Sequence, residues 1–293
     1  MIDAFLIKPA LRKSAKQMAR IESLKTKDSV ELIGSDYDQV KKEIDNLRTR
    51  DEVRVVACGG DGTMHWAINS AHGLDVSLAV VPMGTGNDFA RALDIRSFDQ
   101  GRSVLQHGQS QRIDVGKISL GDGDSRFFVG VASCGFDAQV NERANGYPGP
   151  QGTAKYVAAI FGELKALKAI DLDLEVDGQR SSGKFSLVAV ANSRSYGGGM
   201  KICPTAEIDD GIFDVTYVDE VRRRTLVRVL PRVFNGSHVS HPKVSVDRIT
   251  KISISGEPFP VYADGERVGV GPATIELVPA SARVWRANSS SAT

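Results

Sequence analysis

Residues 53–68 read VRVVACGGDGTMHWAI, and the interpretation of the fold starts from this stretch. An apolar run ends at two glycines, an aspartate and a third glycine, after which a helix-like pattern begins. A strand, a glycine-rich turn and a helix often hold a phosphate, because turn N–H groups and helix N-termini both favour anions. The alternative is a plain connection between a strand and a helix. The turn contains no lysine, so positive charge must come from elsewhere.

A second glycine-rich turn follows the next apolar run, in residues 81–93, VPMGTGNDFARAL. Two such turns at the ends of adjacent parallel strands face the same edge of a sheet. Their glycines allow positive φ and close approach of a ligand. Asp61 would repel a phosphate unless a divalent cation lay between them, and Asp88 adds a second carboxylate. The two turns therefore predict a phosphate site with Mg²⁺, in which Arg91 either meets a phosphate or is simply solvated.

Length and composition limit the function classes. The chain has 293 residues, of which 41% are apolar and 25% charged, as expected for about two globular domains. A net charge of +1 gives no overall electrostatic case for nucleic acid. Three dispersed cysteines favour a reduced, cytoplasmic setting. No apolar run is long enough to cross a membrane.

The pattern changes along the chain. From residue 1 to 107, apolar runs alternate with helical patterns, which predicts an α/β domain whose parallel sheet carries helices on both faces. Asp36 is the expected N-cap of a helix there. Residues 108–293 are mostly short alternating strands separated by Asp-Gly pairs, which favour hairpins. We expect a mainly β, sandwich-like domain with helices at about 153–169 and 221–234.

Several stretches together carry a resemblance to a known family. They are GGDGT, PMGTGNDFAR, RIDVGKI, ANSRSYGGGMKICPTAEIDDGIFDVTYV and YADGERVG, and they follow one another in this order from about residue 53 to 270. The chain thereby resembles the catalytic family of diacylglycerol kinases, which are lipid kinases. GGDGT alone is shared with NAD kinases, whereas GTGND and the Gly-Gly-Gly-Met segment are more specific.

The resemblance implies roles for individual residues. ATP should contact the two turns through Gly59, Gly60, Asp61, Gly62, Thr63, Gly84, Thr85, Asn87 and Asp88. Asp61, Asp88 and Asp114 would surround the transferred phosphate and its Mg²⁺. A structural Mg²⁺ would be held by Asp210 with the main-chain carbonyls of Glu207 and Ile212. Asp264 and Glu266 match the catalytic-base element, and the longer Glu266 side chain is the preferred base.

The N-terminal segment departs from the family pattern. Residues 5–15 read FLIKPALRKSA, so Lys8 replaces the usual asparagine before Pro9 and the expected glycines are missing. This difference concerns the adenine and ribose contacts more than the phosphate chemistry. Lys8 itself would bring positive charge near the nucleotide.

The predicted function is ATP- and Mg²⁺-dependent phosphorylation of a lipid hydroxyl, with diacylglycerol as the expected substrate and phosphatidic acid as the product. The alternatives are an NAD kinase-like enzyme and a catalytically silent lipid- or nucleotide-binding module. Arginines at 222–232 predict either a solvated helix face or peripheral contact with an anionic membrane. The identity of the lipid and the oligomeric state, including a homodimer, stay open.

Overall fold

The structure is a computed structural model that describes residues 1–135, 140 and 168–288 and contains two compact units. The α/β unit comprises Met1–Ile113 and Ala280–Thr293, and the β unit comprises Asp114–Pro279. The chain thus divides six residues after the boundary expected from the sequence, and its C-terminal end returns to the first unit. Residues 153–167 of the expected helix lie outside the described residues.

The α/β unit alternates strands with helices, as its apolar runs predict. Its strands are β1 (Ile2–Ile7), β2 (Val30–Leu32), β3 (Val53–Gly59) and β4 (Ser77–Pro82). Its helices are α1 (Ala15–Glu22), α2 (Tyr37–Arg48), α3 (Asp61–Ala71), α4 (Asp88–Ala92) and α5 (Phe98–His107). The strands pair in parallel in the order β2–β1–β3–β4.

Every residue of β1, β3 and β4 is buried, because helices cover both faces of this sheet. On one face, Phe5, Val56 and Val81 pack with Ile21 of α1 and Phe98 of α5. Helices α2 and α3 contact β3 as well. Asp36 caps α2 by accepting a hydrogen bond from the Gln39 N–H at 2.9 Å. The predicted α/β fold and this N-cap are both confirmed.

A buried ion pair fixes the middle of this sheet. The Arg54 guanidinium on β3 donates to both carboxylate oxygens of Asp3 on β1, at 2.6 and 2.8 Å. It also donates to the Leu105 carbonyl of α5 at 2.8 Å and lies over the ring of Trp285, 4.3 Å from its centroid. One arginine therefore connects two strands, a helix and the returning C-terminal segment of the α/β unit.

The β unit is built from the remaining strands. They are β5 (Gln109–Leu120), β6 (Ser125–Phe128), β7 (Val131–Gly135), β8 (Ile170–Val176), β9 (Gln179–Ala191), β10 (Phe213–Asp219), β11 (Val244–Ile249), β12 (Lys251–Gly256), β13 (Pro260–Ala263), β14 (Glu266–Val270) and β15 (Ala273–Arg286). Within the unit, antiparallel pairs run in the order β14–β13–β7–β9–β8–β12–β15, and β10 pairs with β9 and β11. The last residues of β15 belong to the α/β unit and pair in parallel with β4.

The β unit confirms the expected mainly β architecture with some differences in its strands. Residues 126–133 form parts of two strands, because the strand conformation is interrupted at Val129 and Gly130. Asp-Gly forms the hairpin turns at 122–123, 177–178 and 264–265, whereas Asp210 and Gly211 precede β10 from a long loop. One apolar core, including Phe128, Phe213 and Phe259, holds these strands together.

One helix of the β unit is only partly packed. The predicted helix at 221–234 is confirmed as α6 (Arg223–Val233). Its apolar residues Leu226, Val229, Leu230 and Val233 recur at helical spacing, yet no residue of α6 is fully buried. Among the described residues, no helix is both long and apolar enough to cross a bilayer.

His238 gives the β unit a pH-dependent stability. It lies in a 3₁₀ turn, Ser237–Ser240, and its Nε2 lies 3.1 Å from the Ile202 carbonyl, so Nε2–H is the donor. Nδ1 is buried and has no hydrogen-bond partner among the described residues. Burial lowers the pKa of His238, and the nearby positive charge of Arg232 lowers it further.

The free energy of unfolding should therefore fall as pH drops. The pKa of His238 is lower in the folded state than the unfolded value of about 6.5. The unfolded chain then binds more protons, so stability is lost from about pH 6.5 down to the folded pKa. Urea unfolding of His238→Gln should show a weaker loss over this window than the wild type. His107→Gln, at an exposed position, is the matched control, and identical pH profiles for His238→Gln and the wild type would contradict the assignment.

Candidate active site

The two glycine-rich turns of the α/β unit lie directly against each other. The Gly59 carbonyl accepts hydrogen bonds from the N–H groups of Met83 and Gly84, at 2.8 and 3.1 Å. A Cβ atom on Gly84 would lie 2.6 Å from the Cα and 2.9 Å from the N of Gly60. These separations are shorter than real Cβ contacts, so the two turns can meet this closely only because residue 84 is glycine.

Space, and not backbone conformation, explains the glycines at this site. Within the described turns 59–63 and 83–88, the only positive φ belongs to Asn87, at 55°. The glycines of these turns therefore do not use the positive φ that glycine allows. A Cβ on Gly59 would lie 2.0 Å from Oγ1 of Thr63, because that side chain folds back over the turn.

Asn87 shapes the second turn through its side chain. Its Oδ1 accepts from the Gly84 N–H at 3.0 Å, and its Nδ2 donates to the Gly84 carbonyl at 2.8 Å. Asparagine tolerates the left-handed conformation better than most residues, which explains its position here. The amide of Asn87 thus closes the turn on itself.

Asp61 and Asp88 converge beside Gly86. Asp61, in the first turn of α3, accepts from the Phe89 N–H through Oδ1 at 3.0 Å. A Cβ on Gly86 would lie 2.7 Å from Oδ2 of Asp61 and 3.5 Å from Oδ2 of Asp88. The absence of a side chain at Gly86 therefore leaves the space next to both carboxylates open.

Arg91 lies beside this carboxylate pair. Its guanidinium forms an ion pair with Asp88 and donates a hydrogen bond to the Gly86 carbonyl. It therefore brings a positive charge to a turn that contains no lysine. Lys8 is exposed in the segment that follows β1, and its N–H donates to the Cys58 carbonyl at 3.1 Å.

The carboxylate pair fits a magnesium ion that is shared with phosphate. Among residues 1–135, 140 and 168–288, no three His, Cys, Asp or Glu side chains are grouped closely enough to hold a metal. Mg²⁺ commonly uses only one or two carboxylates and takes its other ligands from substrate phosphates and water. Asp61 and Asp88 provide that number of carboxylates next to an open space.

A second polar cluster lies in the β unit, at the Asp264–Gly265 turn. Both residues have positive φ, at 52° and 82°, and Ala263 pairs with Glu266 across a two-residue turn. The Asp264 carboxylate accepts from the N–H groups of Gly130 and Val129, at 2.8 and 3.2 Å. Glu266 is exposed. The two predicted catalytic carboxylates therefore have different surroundings, since Asp264 accepts backbone hydrogen bonds and Glu266 is exposed.

Asn192 connects this turn to Asp114 and was missed as a site residue. It is fully buried, and its Nδ2 donates to the carbonyls of Asp114 and Val129, at 2.9 and 3.2 Å. Its backbone N–H donates to the Gly130 carbonyl at 2.9 Å. Its position at the start of ANSRSYGGGM was the only available signal, because buried contacts with distant segments are not visible in the sequence.

Asp114 belongs to the same network. One oxygen of its buried carboxylate accepts from the Gly211 N–H at 2.7 Å, and its own N–H donates to the Ile208 carbonyl at 2.7 Å. Asp114 therefore holds the loop before β10 in place. Asp264, Gly130, Asn192 and Asp114 form one continuous hydrogen-bonded network, which we call the Asp264 network.

The residues expected to hold a structural Mg²⁺ have arginine partners. The Asp210 carboxylate forms an ion pair with Arg248, and its Oδ1 accepts from the Ile212 N–H at 3.3 Å. The Glu207 carboxylate pairs with Arg194 at 2.9 Å. Asp210 thus has an arginine partner, as Asp88 has in Arg91, and the structural Mg²⁺ at Asp210 stays a prediction.

Comparison with known proteins gives consistent matches to one family. Residues 9–118 match the diacylglycerol kinase catalytic domain, and residues 130–286 match the YegS C-terminal NAD kinase beta sandwich-like domain. A diacylglycerol kinase from Mycobacterium tuberculosis is 34% identical over 88% of this chain and 85% of its own length. One from Staphylococcus aureus is 33% identical over 75% of this chain and 70% of its own length.

Solved structures support the same fold. A diacylglycerol kinase structure from Bacillus anthracis strain Sterne has a TM-score of 0.67 at 17% identity, covering 99% of this chain and 97% of that one. Another structure from the same strain has a TM-score of 0.74 at 18% identity, covering 99% and 98%.

The fold and the two polar clusters define a two-unit protein in which an α/β unit with paired glycine-rich turns is followed by a mainly β unit. Within that class, the chain belongs to the diacylglycerol kinase family.

Proposed function

We propose that this protein is a lipid kinase that transfers the γ-phosphoryl group of ATP to a lipid hydroxyl, with diacylglycerol as the substrate. The observation that carries the proposal is the contact between the two glycine-rich turns, with Asp61 and Asp88 beside Gly86. Phosphoryl transfer depends mainly on positioning and on neutralisation of charge, and this arrangement can contribute to both.

In the proposed complex, the ATP phosphates lie along residues 59–63 and 84–88. The N-terminal N–H groups of α3 favour their negative charge. Asp61 and Asp88 would hold Mg²⁺, which when bound neutralises charge on the phosphate oxygens. Arg91 holds the Asp88 carboxylate and the Gly86 carbonyl in position, and thereby orients one side of the metal site.

Glu266 is the proposed general base. A lipid hydroxyl is a weak nucleophile at neutral pH, so a carboxylate that accepts its proton promotes attack on the phosphate. Support comes from the exposure of Glu266 and from the backbone hydrogen bonds that occupy both oxygens of Asp264. In this proposal, Asp264 fixes the turn from which Glu266 projects.

Incubation with labelled ATP, Mg²⁺ and a panel of acceptors tests the function. The panel contains mixed micelles of diacylglycerol, monoacylglycerol, sphingosine, ceramide or phosphatidylglycerol, with NAD as a water-soluble acceptor. We expect labelled phosphatidic acid as the main product and loss of activity when the metal is chelated. Label on NAD would favour the NAD kinase-like alternative, and no labelled acceptor would favour a silent binding module. Label on another lipid would revise the substrate and leave the reaction class intact.

The surface of α6 supports contact with an anionic lipid surface. Arg224 and Arg228 are exposed, and Val227 and Phe234 keep 40% and 36% of their surface accessible. Arginine beside exposed apolar side chains is typical of helices that lie flat on membranes. By contrast, the Arg232 guanidinium donates to the Ser237 carbonyl at 2.8 Å and to Ser240 Oγ at 2.7 Å.

Replacing Arg224 and Arg228 by glutamine should weaken binding to anionic vesicles by about 30-fold. Each basic residue near such a surface contributes about 1 kcal/mol, and every 1.4 kcal/mol is about tenfold. Vesicle sedimentation measures the effect, which should shrink as salt increases. Arg180 and Lys184, exposed on β9, provide the matched double-glutamine control. An equal loss in both double variants would indicate a general charge effect and not a membrane-contact helix.

A further inference from the structure

The β unit contains an apolar cavity beside α6. The space enclosed by its lining residues, including the part that is open to solvent, is about 680 Å³. Its walls come from α6, β9, β10 and the loop that contains the three consecutive glycines Gly197–Gly199. The residues that line the cavity include Leu187, Tyr196, Met200, Ile202, Leu226 and Val229.

The lining of the cavity favours a neutral, flexible apolar ligand. Among the described residues that line it there is no Asp, Glu, Lys or Arg. His238 is the most polar buried member, and its Nε2–H is already bonded to the Ile202 carbonyl. Burying a charged group here would be costly because no opposite charge lines the cavity. A hydrocarbon chain meets no such penalty.

Incomplete packing of α6 explains why the cavity exists. Leu226 and Val229 lie on the apolar side of α6 and line the cavity, yet both remain only half-buried. Apolar residues at helical spacing normally pack fully against the core. Here they leave unfilled space, which a bound chain would occupy and so complete their burial.

The cavity is connected to the Asp264 network through packed residues. Ile202, Leu187 and Tyr196 line the cavity and pack in one apolar cluster with Val131. Val131 follows Gly130, whose N–H donates to Asp264. The segment 192–202 makes the same connection, because it begins in the network at Asn192 and ends in the cavity wall at Ile202.

We propose that this cavity holds one acyl chain of the lipid substrate, while the hydroxyl to be phosphorylated lies toward the Asp264–Gly265 turn. The inference rests on the proposed lipid kinase function and specifies where that substrate binds. It follows from the apolar lining, from the unfilled side of α6 and from the packed connection to the turn that carries Glu266. The exposed side of α6 would contact the membrane from which the chain enters.

Binding of a fluorescent fatty acid, cis-parinaric acid, tests the cavity without requiring catalysis. Val229→Phe fills the cavity with a ring that displaces two or three methylenes of the probe. Each buried methylene is worth about fourfold in affinity, so the probe should bind about 10- to 60-fold more weakly. Val270→Phe is the matched control, since Val270 is an exposed valine of the same unit, on β14, and does not line the cavity. It should bind the probe like the wild type.

The same variants distinguish an error in the cavity inference from an error in the proposed lipid kinase function. If the wild type phosphorylates diacylglycerol but Val229→Phe binds the probe unchanged, the cavity inference is overturned and the kinase stands. If no lipid is phosphorylated while Val229→Phe still loses the probe, the cavity binds acyl chains and the proposed function fails. Circular dichroism and thermal unfolding establish that both variants are folded.

Photo-crosslinking of the wild-type protein covers the case in which Val229→Phe does not fold. A fatty acid with a photoreactive group at its terminal methyl should label residues of the cavity wall, such as Met200 or Leu226. Peptide mapping that places the adducts outside the cavity lining would overturn the inference.

Discussion

Replacing Glu266 by glutamine is expected to lower kcat by about 10²–10⁴-fold and to leave ATP affinity unchanged, because the substitution removes only a proton acceptor. The glutamine side chain has nearly the same shape as glutamate but cannot take the proton of a lipid hydroxyl at neutral pH. Since Glu266 is exposed, the free energy of unfolding should change little. Steady-state kinetics with saturating lipid, together with ATP titration, measures both quantities.

Two further variants test whether a loss of kcat is specific to Glu266. Glu276→Gln removes a carboxylate from an exposed position on β15 of the same unit and should leave kcat unchanged. Asp264→Asn weakens the hydrogen bonds to Gly130 and Val129, so it should lower stability as well as kcat. A near-wild-type kcat for Glu266→Gln would contradict its role as base. If Asp264→Asn then lost kcat with stability intact, Asp264 would be the better candidate.

Replacing Gly84 by alanine is expected to weaken ATP binding by about 10²-fold or more. The new Cβ would lie 2.6 Å from the Gly60 Cα. Neither atom can rotate away, because the Cα is a backbone atom and the position of a Cβ is fixed by the backbone of its own residue. The two turns must therefore separate, and the loss of one or two hydrogen bonds to a charged phosphate, each worth about 1.5–3 kcal/mol, lowers affinity by about 10²-fold or more. Isothermal titration with ATP and Mg²⁺ measures the change in affinity.

Gly60→Ala is the matched comparison, because it changes the other side of the same contact. Its Cβ would lie 3.3 Å from the Gly84 Cα, a tight distance that small adjustments can relieve. Gly60→Ala should therefore bind ATP better than Gly84→Ala. Equal affinity for the wild type and Gly84→Ala would show that close contact between the turns is not needed for the nucleotide. Thermal unfolding establishes whether each variant keeps its fold.

Much of the fold could be predicted from local sequence because local physics determines it. Apolar runs that alternate with helical patterns gave the parallel α/β sheet, and Asp36 marked the start of α2. Asp177–Gly178 and Asp264–Gly265 form the expected two-residue turns with positive φ at both positions. The pairings of β11 with β10 and of β13 with β7 join segments that are distant in the chain, so local sequence does not reveal them.

The sequence was enough to predict many residues of the candidate site, but it revealed few of the contacts between them. The turns at 59–63 and 84–88 were recognised, but the reason for their glycines was not, since contact between Gly60 and Gly84 depends on two different strands. The metal roles of Asp114 and Asp210 stay predictions, and their hydrogen-bond and ion-pair partners within the β unit could not be read from the sequence. Asn192 was missed for the same reason.

The sequence by itself determined the alternation of strands and helices in the α/β unit, the glycine-rich turns and the membership of a family, because these depend on neighbouring residues and on motifs read in order. The tertiary structure alone decided which backbone N–H groups hold the Asp264 carboxylate, why Gly84 must lack a side chain, and where the β unit leaves an apolar cavity. Hydrogen bonds such as those from Gly130 to Asp264 join residues more than a hundred positions apart. Only folding brings such partners within the roughly 3 Å that a hydrogen bond requires.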